Sequence, residues 1–101
     1  MKDLILSATT LIGDDVVNYN GENLGEVKEI MLDTNTGEVA YVVVSFGGFL
    51  GMGDKLFAFP IKAFKVDTAN AQFKIKKTKE ELEEAPGFDK NNWPETSSDY
   101  W

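Results

Sequence analysis

A chain of 101 residues, 43% hydrophobic and 27% charged, is long enough for one globular domain around one core. It has no cysteine, no histidine and no arginine, and all ten of its cations are lysines. That composition removes disulfides, thiol chemistry, the commonest general base and transition-metal ligand, and the guanidinium fork suited to phosphates and base edges. The net charge of −7 repels polyanions, so a Ser-His-Asp hydrolase, a zinc site and a sequence-specific DNA reader are all disfavoured.

In chain order, Met1-Lys2-Asp3-Leu4-Ile5-Leu6-Ser7 holds an acid and too short an apolar stretch for a signal peptide. No apolar run approaches the roughly 18 residues of a membrane span; the longest candidate, residues 39–50, is interrupted by Ser45 and by Gly47-Gly48. The expectation is a cytoplasmic protein without membrane insertion. Leu11-Ile12-Gly13 with Val16-Val17-Asn18-Tyr19 reads as a short first strand. Asn20-Gly21 marks the hairpin turn that follows.

Residues 24–33 alternate imperfectly: Val27 and Met31 fall on one face, Leu24, Ile30 and Leu32 on the other. The mixture predicts a long strand bent by a bulge, with helix as the alternative over residues 26–31. Asp33-Thr34-Asn35-Thr36-Gly37 is a turn. Its oxygen-bearing side chains resemble the start of a calcium loop, but the strand after it offers no bidentate acid, so turn chemistry explains the same letters. Residues 38–46, rich in valine with Tyr41, form the clearest strand.

Gly47-Gly48-Phe49-Leu50-Gly51-Met52-Gly53 then sets bulky apolar residues among glycines, which suits a loop folded onto the protein or a dimer contact better than a free linker. It is not a phosphate loop, because Gly53 is followed by Asp54 and a strand instead of Lys-Ser/Thr and a helix. A strand over residues 55–61 follows, with Pro60 marking an edge or a bulge. Residues 64–67 and 73–76 alternate apolar with polar around a hairpin at residues 68–72. Lys74, Lys76, Lys77 and Lys79 make a small basic run, opposed by the acids that come next. Thr78 with Glu81 predicts a capping box on a short helix stopped by Pro86-Gly87. The tail beyond carries Phe88, Trp93, Tyr100 and Trp101. Phe88 and Trp93 are expected to seal one end of the barrel, with Tyr100 and Trp101 left open.

The expected fold is all-β: a small closed or partly open antiparallel β-barrel of about six strands with a short C-terminal helix and an aromatic tail. The chain divides into an extension (1–7), the barrel (8–77), the helix (78–85) and the tail (86–101).

Leu11-Ile12-Gly13, Asn20-Gly21-Glu22-x-Leu24-Gly25, the run from Asp33 through Gly37, Val39, Tyr41 and Val43, and Gly47-Gly48-Phe49-Leu50-Gly51 resemble the PRC-barrel domain. So do Phe59-Pro60, Ala85-Pro86-Gly87-Phe88-Asp89 and Asn92-Trp93-Pro94, so that the resemblance covers roughly residues 8–94. The family includes the cytoplasmic part of the photosynthetic reaction-centre H subunit, the C-terminal domain of a ribosome-maturation factor, and small stand-alone proteins, which this chain looks most like. The resemblance implies protein–protein docking, and it brings no shared catalytic residues.

The expected function is a non-enzymatic binding or assembly module without cofactor or metal, docking on a protein partner or on a copy of itself as a homo-oligomer. Phe49, Leu50, Met52, Trp93 and Trp101 are the candidate contact residues. An accessory role in ribosome maturation or RNA metabolism is the alternative, resting on the resemblance and on the lysine run, although nucleic acid is disfavoured by charge. Acid–base work by Asp14 and Asp15 is a third reading, weakened because adjacent residues point apart.

Overall fold

A computed structural model describes residues 5–47, 54–89 and 91–95. After a helical turn, α1 (Ala8–Leu11), come β1 (Asp15–Asn18), β2 (Asn23–Asp33), β3 (Glu38–Gly47) and β4 (Asp54–Phe59). A 3₁₀ turn (Ile61–Ala63) leads to β5 (Phe64–Asp67) and β6 (Gln72–Ile75), and α2 (Lys79–Glu84) follows. The six strands form one sheet in the order β4-β3-β2-β1-β6-β5.

Two sequence expectations need correction. Leu11 closes a helical turn instead of opening the first strand, because Leu11 N–H and the Thr10 hydroxyl both donate to the Ser7 carbonyl and Ile12 N–H to that of Ala8. The strand begins only at Asp15, and Gly13 N–H and the Asp14 carbonyl stitch the connection to Val27 of β2 at 2.8 and 2.9 Å. The sheet is also not antiparallel throughout: β1 and β6 pair in parallel, Val16 opposite Phe73. A parallel pair needs a long crossover, and the whole of β2 through β5 supplies it. Alternation in a short strand reports which side chains share a face and is silent on which strand lies beside it.

The long bent strand is present. β2 shifts register against β3 between Val27 and Glu29 and again between Met31 and Leu32. A further bulge against β1, where Val16 pairs with Gly25 but Val17 with Asn23, lets Leu24 and Val27, three residues apart, both reach the core. β4 stops at Phe59 because Pro60 has no N–H to continue the ladder; the Pro60 carbonyl instead accepts from Ala63 at 2.9 Å.

One face of the sheet encloses the main core, with Val16, Leu24, Val42, Val44, Phe57 and Phe73 almost fully buried and Leu82 of α2 reaching into it. Hydrogen bonds do not close the sheet: among the described residues no ladder joins β4 to β5. The two edge strands touch through side chains, the rings of Phe59 and Phe64 meeting edge to face at 5.7 Å. The other face of β3 and β4 is buried as well. Tyr41, Val43, Leu56 and Ala58 form a second cluster covered by Phe88 and Trp93, so β3 reads as a continuous apolar run instead of an alternating one.

Candidate functional site

β1 and β6 finish at one end of the sheet and β5 starts there; the 3₁₀ turn brings the last residue of β4 to the start of β5, where the rings of Phe59 and Phe64 meet. The chain emerging from these strands builds two adjoining hollows that share Lys76 and Lys77 as a common wall. The first is a groove of about 340 Å³ between Phe59, Pro60 and Ala63 on one side and Ile75 with the two lysines on the other. Its make-up follows from local sequence: Pro60 ends β4 and turns the chain outward, and the 3₁₀ turn presents Ala63, a side chain too small to fill the space. Lys76 is exposed, and Lys62 on the same 3₁₀ turn is exposed too.

The second hollow, about 250 Å³, is polar and lies between the β1–β2 turn and the start of α2. Asn18 fixes the turn: its side-chain oxygen accepts from Asn20 and Glu22 N–H at 3.0 and 2.9 Å, and its amide nitrogen donates to the Glu22 carboxylate at 2.8 Å. All this satisfies a polar side chain that is 3% exposed, and it leaves the next residue, Tyr19, 57% exposed at the rim. The opposite wall is the capping box: Thr78 Oγ1 accepts from Glu81 N–H at 3.0 Å while the Glu81 carboxylate accepts from Thr78 N–H at 2.8 Å. That backbone donor, aided by the Lys77 charge, holds the Glu81 carboxyl below its usual range.

The other lowered carboxyl, Asp67, owes its shift first to the Asn70 side chain in the β5–β6 turn, with Lys74 contributing from 3.8 Å. Both shifts thus belong to a cap and a turn. Lys74 lies on the flank of the sheet beside Asp67, apart from the end where Lys76 and Lys77 stand. Asp14 is half-buried and Asp15 exposed at the start of β1. Among the described residues no three acids are grouped so as to hold a metal ion, and no helix is long and apolar enough to cross a membrane.

Of the contact residues expected from sequence, Phe49, Leu50, Met52 and Trp101 lie outside the described residues, as does Tyr100. Among the described residues, Gly47 at the end of β3 pairs with Asp54 at the start of β4. Trp93 is part-buried, its ring 5.1 Å from that of Phe88. Phe88 pairs with the edge of β4, donating its N–H to the Leu56 carbonyl at 2.7 Å. The strap is secured further on by the Tyr41 hydroxyl, which donates to the Pro94 carbonyl at 2.6 Å. Sequence reasoning missed both hollows. The one signal present was the Lys76-Lys77 doublet directly after an alternating strand.

A family model described as PRC-barrel domain matches residues 5–82. No curated protein matches the chain. Among solved structures, a 16S ribosomal RNA processing protein, RimM, from Pseudomonas aeruginosa aligns with a TM-score of 0.50 at 15% identity, over 74% of this chain. The alignment takes in only 45% of that protein's chain, so the likeness is one of fold over less than half of its length.

Proposed function

The chain belongs to the PRC-barrel domain family, and from that premise we propose that it is a non-enzymatic docking module whose barrel surface binds another protein, a second copy of itself being the first partner to test. The observation that carries this reading is the groove at the Pro60 end, an apolar floor flanked by lysines and left uncovered by the described chain, while the opposite apolar face of β3 and β4 is already strapped. The contact residues this reading names are Phe49, Leu50, Met52, Trp93 and Trp101, of which only the part-buried Trp93 falls among the described residues. The absence of histidine, cysteine and arginine supports a binding role over a catalytic one. Sedimentation velocity and affinity capture from native lysate test the proposal. Changing Phe49 and Leu50 to Ser abolishes association while the circular dichroism spectrum stays the same; association that persists in the variant overturns it.

A second reading, accessory work on ribosomal particles, is favoured by the exposed Tyr19 ring beside Lys76 and Lys77, since an aromatic face next to lysines suits single-stranded RNA. The fold shared with a protein described as processing 16S ribosomal RNA points the same way. This reading requires co-sedimentation with ribosomal particles at low salt, lost when Lys76 and Lys77 become Glu.

A further inference from the structure

We propose that the two-stranded arm at the Asp33–Glu38 end of β2 and β3 is a dimer contact: its exposed Leu32 seats in the lysine-flanked groove of a second copy, which returns its own arm in the same way. The arm is defined by pairing. Among the described residues, 29–33 of β2 and 38–41 of β3 pair only with each other, because the β1 ladder stops at Glu26 and the β4 ladder at Val42. Met31 lies opposite Tyr41 but Leu32 opposite Val39, so Ala40 is a bulge that returns Val39 to the core face. Ile30 and Val39 still pack against the main core. Leu32, next along the same face, is 65% exposed. The apolar face of the sheet thus runs on past its own core, and a two-stranded ribbon needs something packed against it.

Charge supplies the choice of occupant. Residues 5–47 hold seven acids and one lysine, and residues 60–79 hold six lysines and one acid, Asp67, which Lys74 faces at 3.8 Å. At the arm's tip Asp33 lies opposite Glu38, directly beyond the Leu32–Val39 pair. The groove is the converse. Pro60 and Ala63 are exposed at its mouth, Lys62 and Lys76 are exposed beside them, and neither lysine meets a carboxylate among the described residues. The two halves adjoin, since Val42 at the root of the arm pairs with Phe59 of the groove and the 3₁₀ turn packs against β3. An apolar tip with acids next to an apolar groove with lysines is a self-complementary surface, which a two-fold dimer satisfies twice and an unrelated partner only once. The arm does not serve its own groove, because it continues the sheet and its Leu32 stands in solvent.

This contact rests on the docking reading and locates its self-association. A stable interface buries about 800 Å² on each partner, more than one hairpin tip offers, so the arm acts together with the contact residues already named. Sedimentation velocity on two variants tests it, each made at exposed side chains and checked for an unchanged circular dichroism spectrum. The arm variant carries Leu32→Ser and Glu38→Lys, and the groove variant Lys62→Glu and Lys76→Glu. Each alone is expected to dimerise at least about tenfold more weakly than the wild type. An equimolar mixture regains dimers, since an intact arm meets an intact groove and the second contact pairs reversed charges. Variants that associate like the wild type overturn the proposal, as does loss in both without recovery on mixing. The docking reading survives either result if Phe49→Ser with Leu50→Ser still abolishes association. A wild-type chain that stays monomeric at millimolar concentration overturns the proposal too, and leaves docking on other proteins to affinity capture.

Discussion

At Gly25 the backbones of β2 and β3 approach so closely that a Cβ on this residue would lie 2.0 Å from the Ser45 carbonyl oxygen, and its φ of +140° is one that side-chain-bearing residues rarely adopt. Neither obstacle yields to a rotamer change, because the atom in the way is backbone inside a paired strand. Gly25→Ala is therefore expected to cost about 3 kcal/mol or more, against a typical point mutant near 1, measured as a lowered urea midpoint at unchanged m-value. Lys55 works at the other end of the scale of visibility. Its ammonium donates to the carbonyls of Leu82, Glu83 and Ala85, groups that the end of α2 leaves without helical partners. Lys55→Met keeps the stem and removes the charge, and a loss of about 1–2 kcal/mol is expected, with the amides of residues 82–85 losing hydrogen-exchange protection first. Neither role was legible in sequence. A glycine in a strand and a lysine after a loop are common, and the partners are 20 and about 30 positions away.

Among the elements, α2 was the most legible, since a cap is written in adjacent letters. Thr78 and Glu81 form the reciprocal pair expected from their spacing. The linkage has a definite sign. Glu81 is held below its ordinary range by the Thr78 N–H, so its contribution to stability is present above the unfolded carboxylate's range and is lost as pH falls through the folded value. Glu81→Gln is expected to flatten the acid side of the helix signal followed by circular dichroism, while Thr78→Ala lowers stability by about 1 kcal/mol at neutral pH. The strap was half legible. Phe88 and Trp93 were expected to seal an end of the barrel and instead cover the outer face of β3 and β4. The all-apolar reading of β3 was the clue, because a sheet with one wet face alternates. Gly87 permits the close approach, since a Cβ on it would lie 2.7 Å from the Leu56 carbonyl oxygen. Ending the chain at Ala85 bares both the cluster around Tyr41 and the β4 edge, and such edges pair with other chains. The expected result is strong binding of an apolar dye together with concentration-dependent association in sedimentation.

For the whole molecule the question is what holds an unclosed sheet around its core. The hydrogen-bonded order leaves β4 and β5 as edges, with Pro60 and a 3₁₀ turn between them. Side chains span the seam. Phe46, Phe57, Phe59, Phe64 and Phe73 form a continuous series with neighbouring rings 6.2, 6.2, 5.7 and 5.3 Å apart, linking β3 and β4 to β5 and β6. The apolar positions were readable one strand at a time, which is why the all-β class followed from sequence. The series itself was not, because it crosses from one edge of the sheet to the other, as does the groove made by segments around residues 59–63 and 75–77. The seam therefore depends on its middle ring. Phe59 is 2% exposed and touches rings on both sides, so Phe59→Ala is expected to cost about 3–5 kcal/mol. Phe64, only part-buried, is expected to lose less on the same change. The decisive measurement is hydrogen exchange in a Phe59→Leu variant, which retains most of the volume and removes the ring contacts. If the rings hold the edges together, amides of β5 and of the 3₁₀ turn exchange through a local opening of lower free energy than global unfolding, while the β2–β3 amides still report the global value. Uniform loss of protection across the sheet would instead show that the edges are held by the core as a whole.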